Sequence, residues 1–478
     1  MRANRKLLLL LLFFGIFPLL VGLACTCGLL PFGKDSGSSV EEVVEVVVTE
    51  EIVVEEPTLE VTDVEEIIVE EPTVEEPQEI IIAPGEELIA TDLTWLQEER
   101  EVFVGLFLKN QYPDMNLESI DCYINLLDAD GGEIRRQRES IRWLFPGHTV
   151  GIGYRTILPE DAPPVDSVTI EYEYKSANPT AGYENPFTVD NIKIWTEGTR
   201  PVLTGTVHNH TTTIFTDVRL NFHCYDAQGE IIGGGYNYLW FIPGESEMGF
   251  NIVADVYGEV DSVEVFPILT AFTVTMDDTP EFWEPVSIIE HAYQENKNRG
   301  LNGGFVLQNN LEDTILKGTL VQVTFFDQDG FVTTYGTQNI PYLLPGATLG
   351  LHPAIFSQPQ GAASVDYQID YLPGVFVDNY EIMEDVFRVN STEITGSTNE
   401  YVLVNFTNTY SKPVSEVDIY ILLYDADGTI IGGAKSNYKE SMPPGSTAEK
   451  EVYVYYHRDN TIADIEVWIL PNTFTKYE

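Results

Sequence analysis

Cysteine is nearly absent from this chain, with 4 in 478 residues. Two of them, Cys25 and Cys27, fall in an apolar N-terminal stretch, which leaves Cys122 and Cys224 for everything downstream. That excludes a disulfide-stapled scaffold, so stability must come from buried apolar cores. Positive charge is equally scarce: 25 Lys and Arg stand against 76 Asp and Glu, for a formal net charge of -51. Nucleic acid binding needs basic surface, so that class is excluded, and anionic lipid headgroups are repelled. Such a charge suits a solubilising coat or a cationic partner. An activated serine, a cysteine–histidine pair, a phosphate loop and an HExxH pair are all missing. Without them the chain is expected to be no enzyme and to carry no cofactor. Long helical periodicity is missing too.

What is present is a repeat. An alternating apolar strand followed by Asp-x-[Asp/Gln]-Gly occurs four times, with its aspartates Asp128, Asp226, Asp327 and Asp425 spaced 98, 101 and 98 residues apart. The block closes on Gly131, Gly229, Gly330 and Gly428. About eighteen residues upstream of each aspartate lies a hydrophobic-x-Asn step ending at Asn110, Asn209, Asn309 and Asn408. Downstream comes a Pro-Gly pair: Pro146-Gly147, Pro243-Gly244, Pro345-Gly346 and Pro444-Gly445. Alternation with period two buries one face of a strand. Asp-x-Asp-Gly is hairpin chemistry, because aspartate bonds nearby amides and glycine supplies positive φ. Each period thus predicts six or seven short strands in roughly 90–100 residues, a β-sandwich pattern.

The block and its flanks resemble the FxLYD domain family of bacterial and archaeal surface proteins. The resemblance rests on Phe222-His223-Cys224-Tyr225-Asp226 and Ile421-Leu422-Leu423-Tyr424-Asp425, with the Asn and Pro-Gly landmarks around them. The copies ending at Asp128 and Asp327 lack the tyrosine. The resemblance implies an immunoglobulin-like β-sandwich, often on lipoproteins, and no known catalytic activity.

The N-terminus speaks to location. Arg2, Arg5 and Lys6 precede an apolar run and then Gly22-Leu23-Ala24-Cys25. This reads as a signal peptide with lipid attachment at Cys25. An uncleaved membrane helix from Leu7 to about Leu30 and a freely secreted protein remain the alternatives. The first two readings place the chain on a membrane, extracytoplasmic, at the cell surface or envelope. Between Lys34 and Arg100 lie 22 acidic residues and no basic one, which predicts an extended, solvated linker. The expected organisation is an anchor over 1–30, a disordered acidic linker over 31–85, and four tandem modules over 86–178, 186–276, 284–378 and 380–478.

His208 and His210, at i and i+2 beside a predicted strand end, share one side and could suit zinc, but no third ligand is evident. Exposed polar residues beside a turn is the better reading. Calcium at Asp128 with Asp130, Asp327 with Asp329 and Asp425 with Asp427 is the lesser reading and hairpin turns the greater, because these loops run straight into an apolar strand and the second copy has Gln228 in the second place. Acidic residues at Asp277, Asp278, Glu281 and Glu284 offer another calcium possibility. Cys122 and Cys224 sit on the inward register of separate copies and read as small buried hydrophobes. The four asparagines read as structural turn caps. The function expected is a non-enzymatic, membrane-anchored array for binding an envelope protein or glycan, or for spacing. The alternatives are an accessory subunit of an envelope transport or assembly complex, or a metal-dependent enzyme using His208 and His210.

Overall fold

A computed structural model of the protein describes residues 87–179, 185–196, 200–276, 286–296, 300–353, 361–370, 376–377, 386–396 and 400–477. The expected anchor with Cys25, the acidic linker and the acidic residues at 277, 278, 281 and 284 lie outside the described residues. The fold is all-β, in several small antiparallel sheets, with no helix among the described residues.

The first copy of the block builds β1 (Leu88–Glu98), β2 (Glu101–Asn110), β3 (Met115–Leu127), β4 (Glu133–Leu144), β5 (Thr149–Ile157), β6 (Ser167–Glu173) and β7 (Ser176–Pro179). They form one sheet in the order β1-β2-β5 and a second in the order β4-β3-β6, with β7 also on β3. Inward residues of β2 (Val102, Val104, Leu106) and β3 (Ile120, Cys122, Ile124) meet in a single core. The second copy repeats the plan with β8 (Phe187–Trp195), β9 (Val202–Asn209), β10 (Ile214–Tyr225), β11 (Ile231–Ile242), β12 (Ser246–Val253), β13 (Ser262–Ile268) and β14 (Thr275–Met276). Its sheets run β12-β9-β8 and β11-β10-β13, with β14 on β10. Residues 286–377 and 386–477 each add another pair of sheets, again one of three strands and one of four.

The alternating pattern locates the inner face of each block strand. It does not disclose that the outer face is buried as well. Asn221 and His223 on β10, Gln322 and Thr324 in Ile315–Phe326, and Tyr420 and Leu422 in Val414–Tyr424 are each at most 2% exposed. These side chains press on the preceding copy. Asn221 Nδ2 donates to the Gly151 carbonyl at 2.7 Å, and Gln322 Nε2 donates to the Gly249 carbonyl at 2.7 Å. At the third such junction, a Cβ on Gly350 would lie 2.3 Å from Trp468 and 2.7 Å from Leu422, so only glycine allows the contact. The first copy of the block carries Arg136, Arg138, Asp121, Glu171 and Glu173 on this side, joined by ion pairs such as Arg138–Asp121 at 2.6 Å.

The junctions are further pinned by charge. Arg219 and Glu139 pair across the first, with both side chains nearly inaccessible. Arg155 bridges to Asp255 at 2.5 Å nearby. At the second junction Lys193 reaches Asp327 at 2.8 Å and lies 4.0 Å over the Trp195 ring. Burial alone would raise the Asp327 carboxyl, but Lys193 and the amides of Phe331 and Asp329 outweigh it and hold it below the usual range.

His223 makes the first junction sensitive to pH. It is wholly buried, with Phe107 and Phe266 edge-on at 5.0 and 5.7 Å. Burial pushes its pKa below the ordinary 6.5, against opposing pulls from the Ile152 backbone and Glu264. A folded pKa lowered in this way means that below about pH 6.5 the unfolded chain takes up a proton the folded one refuses. Stability from this group is therefore full above that pH and falls as acidity increases. Urea midpoints measured from pH 7.5 to 5.5 should decline, and His223→Gln should flatten that part of the decline.

Candidate functional site

The recurring asparagines end the second strand of every copy and all do the same job. In each, Nδ2 donates to at least two backbone carbonyls and Oδ1 accepts a backbone amide two residues on. Asn110 holds Met115 and Leu144 at 2.7 and 2.9 Å, and Tyr112 at 3.0 Å. Asn209 holds Thr213, Pro243 and Thr211; Asn309 holds Thr314, Leu343 and Leu311; Asn408 holds Lys412, Met442 and Tyr410. All four are at most 2% exposed. Each ties one sheet to the crossover into the other, so these residues are fully spent on the fold.

The aspartates are spent similarly. Oδ1 of Asp128, Asp226, Asp327 and Asp425 accepts the amides two and four residues on, at 2.7 to 3.0 Å. Gly131, Gly229, Gly330 and Gly428 close these turns at φ of 76°, 81°, 84° and 78°, which an L side chain adopts only under strain. The Pro-Gly landmark needs one correction. In the second copy, Gly244 and Glu245 hold the turn positions that Pro and Gly hold elsewhere, and Glu245 takes the positive φ of 49° that Gly147, Gly346 and Gly445 take in the others. Cys122 and Cys224 lie in separate cores, and burial pushes both thiols up to about 12.

His208 and His210 do share one side of the sheet, with rings stacked 6.2 Å apart. The structure adds what sequence spacing could not: β8 and β12 bring carboxylates to His208. Asp190 Oδ2 lies 3.2 Å from Nε2, and Glu247 Oε2 lies 3.3 Å from Nδ1. His210 Nε2 is 2.8 Å from the Thr188 hydroxyl. The shallow groove here is lined by His208, His210, Glu245 and Glu247. Among the described residues no group of three or more His, Cys, Asp or Glu converges closely enough to hold a metal ion. As they stand, the two carboxylates flank His208 and leave His210 apart.

A second groove, of about 450 Å³, opens where the second copy meets the third. Asp217, Asn237, Tyr238, Trp240, Phe272 and Tyr335 line it. Tyr236, Tyr238 and Trp240 alternate along β11 and so share its outer face. Trp240 is 57% exposed and Phe272, on the turn after β13, is 76% exposed. Strand pairing aligns these positions with Arg138, Ser140 and Arg142 in the first copy, Thr337, Asn339 and Pro341 in the third, and Lys435, Asn437 and Lys439 in the fourth. The aromatic ladder thus belongs to the second copy alone. Sequence reasoning missed it because Leu239 and Phe241, which interleave with it, are apolar too, so alternation alone did not say which set faces out.

Asp217 holds a left-handed backbone at φ 51°, as do Ser119, Gly318 and Glu416 at the matching places, at 53°, 65° and 59°. Each lies nine residues before its block aspartate. Burial pushes the Asp217 carboxyl up.

No family model matches the sequence, and no curated protein matches it. Among solved structures the chain is similar to an Escherichia coli alpha-2-macroglobulin activated by porcine elastase, at 9% identity and a TM-score of 0.11. The alignment covers 79% of this chain and 44% of that one, so this chain spans less than half of its length. A likeness so faint assigns neither fold nor function. No helix among the described residues is long and apolar enough to cross a membrane.

Proposed function

We propose that the chain is a non-enzymatic array of four tandem immunoglobulin-like sandwiches of the FxLYD type, tethered outside a membrane through its N-terminus. There it spaces or presents binding surfaces toward an envelope protein or glycan. The observation that carries this reading is the set of junctions. Each later copy is wedged onto the one before it by buried side chains packed at a close-approach glycine, and ion pairs cross the first two junctions. Junctions of this kind suit a spacer, because they resist the relative motion that thin inter-domain contacts permit. The recurring Asp and Asn residues are all spent on turns and clamps, which favours a scaffold over a reaction repeated four times.

The test is pulsed-dipolar spectroscopy on the full chain, spin-labelled at the exposed turn tips through Asp130→Cys and Gln228→Cys. A single narrow distance distribution is expected, and a broad one would reject the spacer. For the tether, Cys25→Ala is expected to release a lipid-anchored protein from the membrane fraction, whereas a helix anchor would keep it there.

A further inference from the structure

The groove beside Trp240 carries chemistry that the spacer reading does not need. Four aromatic rings surround it: Tyr238 and Trp240 from β11, Phe272 from the turn after β13, and Tyr335 from the next copy. Tyr335 is set by a hydrogen bond to Asn237. Asn237 is itself fully occupied, donating to the Asn251 carbonyl at 3.1 Å and accepting the Tyr238 amide at 2.8 Å. The one charged group of the lining is the Asp217 carboxylate. Among the described residues no ion pair or hydrogen bond reaches its side chain; Thr273 Oγ1 bonds only its backbone carbonyl, at 3.2 Å. Its partly buried position raises its pKa through burial alone, with no neighbouring cation pulling the other way.

We propose that this groove binds an organic cation of the quaternary or methylated ammonium class, held between Trp240, Phe272, Tyr238 and Tyr335 and neutralised by Asp217. Charge complementarity selects the sign. The ring faces and the carboxylate are all negative, and they stand on a protein of formal net charge -51. The aromatic lining selects the kind of cation. A metal ion needs several oxygen ligands where the lining offers one carboxylate, and a small ammonium ion loses too much hydration among rings. A methylated ammonium is weakly hydrated and gains contact with every ring. A neutral sugar would call for several free planar hydrogen-bonding groups, and Asn237 is already spent. The three sibling positions carry Arg142, Pro341 and Lys439 in place of Trp240, so the site is expected in the second copy only.

The test is isothermal titration of the full chain with tetramethylammonium and with choline. It is repeated with 3,3-dimethylbutan-1-ol, the uncharged isostere of choline, and with a neutral N-acetylglucosamine oligomer. Saturable binding of both cations is expected, with the uncharged isostere at least about tenfold weaker. Trp240→Ala and Asp217→Asn should each weaken cation binding about tenfold or more at unchanged melting temperature. Asparagine tolerates the left-handed backbone at this position, so Asp217→Asn removes charge without strain. Phe272→Ala, at a residue 76% exposed, is a second variant that leaves the core untouched and should weaken binding as well. The proposal is overturned if neither cation binds, if the uncharged isostere binds equally, if Asp217→Asn has no effect, or if the oligosaccharide binds and tetramethylammonium does not displace it. None of these outcomes depends on the dipolar measurement, so this site and the spacer can fail separately.

Discussion

Asn309→Ala is expected to lower the stability of its copy by about 3–5 kcal/mol, among the larger losses a single substitution causes. The side chain is 0% exposed and makes three backbone bonds, to Thr314, Leu343 and Leu311, at 2.8, 3.1 and 3.1 Å. Alanine leaves two carbonyls and one amide in the interior without those partners. Each orphaned buried group costs about 1–3 kcal/mol, and local relaxation with water entry recovers part of it. Hydrogen exchange of residues 309–315 should accelerate with the fall in the urea midpoint, because the clamp closes that crossover. Asn309→Asp retains the acceptor and loses the donor while burying a charge, so it should be no milder. A loss below about 1 kcal/mol for the alanine variant would show that the clamp matters little.

Breaking the Arg219–Glu139 pair is the second large effect. Side-chain exposures of 6% and 5% make this the most enclosed ion pair described. Arg219 also lies 3.8 Å over the Tyr236 ring, and its Nε and Nη2 are buried without a protein partner. Glu139→Ala therefore strands a buried guanidinium, at a cost of about 3–5 kcal/mol. The double variant Glu139→Met/Arg219→Met removes both charges and fills the space, so it should be milder than the single change. Thermal melts of the two variants decide the matter: a single change no worse than the double would mean the pair is already solvated.

The features legible in the sequence share one property, which is that their chemistry is local. Asp128 and its counterparts bond amides two and four residues away, and Asn110 and its counterparts bond an amide two residues away. Residue types at short spacing therefore announce turns of this kind. Long-range geometry was not announced in the same way. Ser119, Asp217, Gly318 and Glu416 share one left-handed conformation imposed by the sheet around them, yet they have no chemistry in common. Asn221 and Gln322 look like solvent-facing strand residues until the preceding copy is laid against them. The displaced turn at Gly244 and Glu245 was hidden because a Pro-Gly pair one position early looks like one in place. Asp190 and Glu247 reach His208 from neighbouring strands, which spacing along the chain cannot show.

The junction residues also bear on how such a gene can change. The outward side chains of the block strands differ from copy to copy: Asn221 with His223, Gln322 with Thr324, and Tyr420 with Leu422. Each pair fits the strand before it, where Gly151, Gly249 and Gly350 receive them, while the matching place in the fourth copy is Glu449. Recombination between two blocks could delete one copy and preserve every core. It would then set Gly151 and Phe107 against Gln322 and Thr324, or Gly249 against Tyr420 and Leu422. The order of the copies is thus written into the molecule as a series of matched addresses.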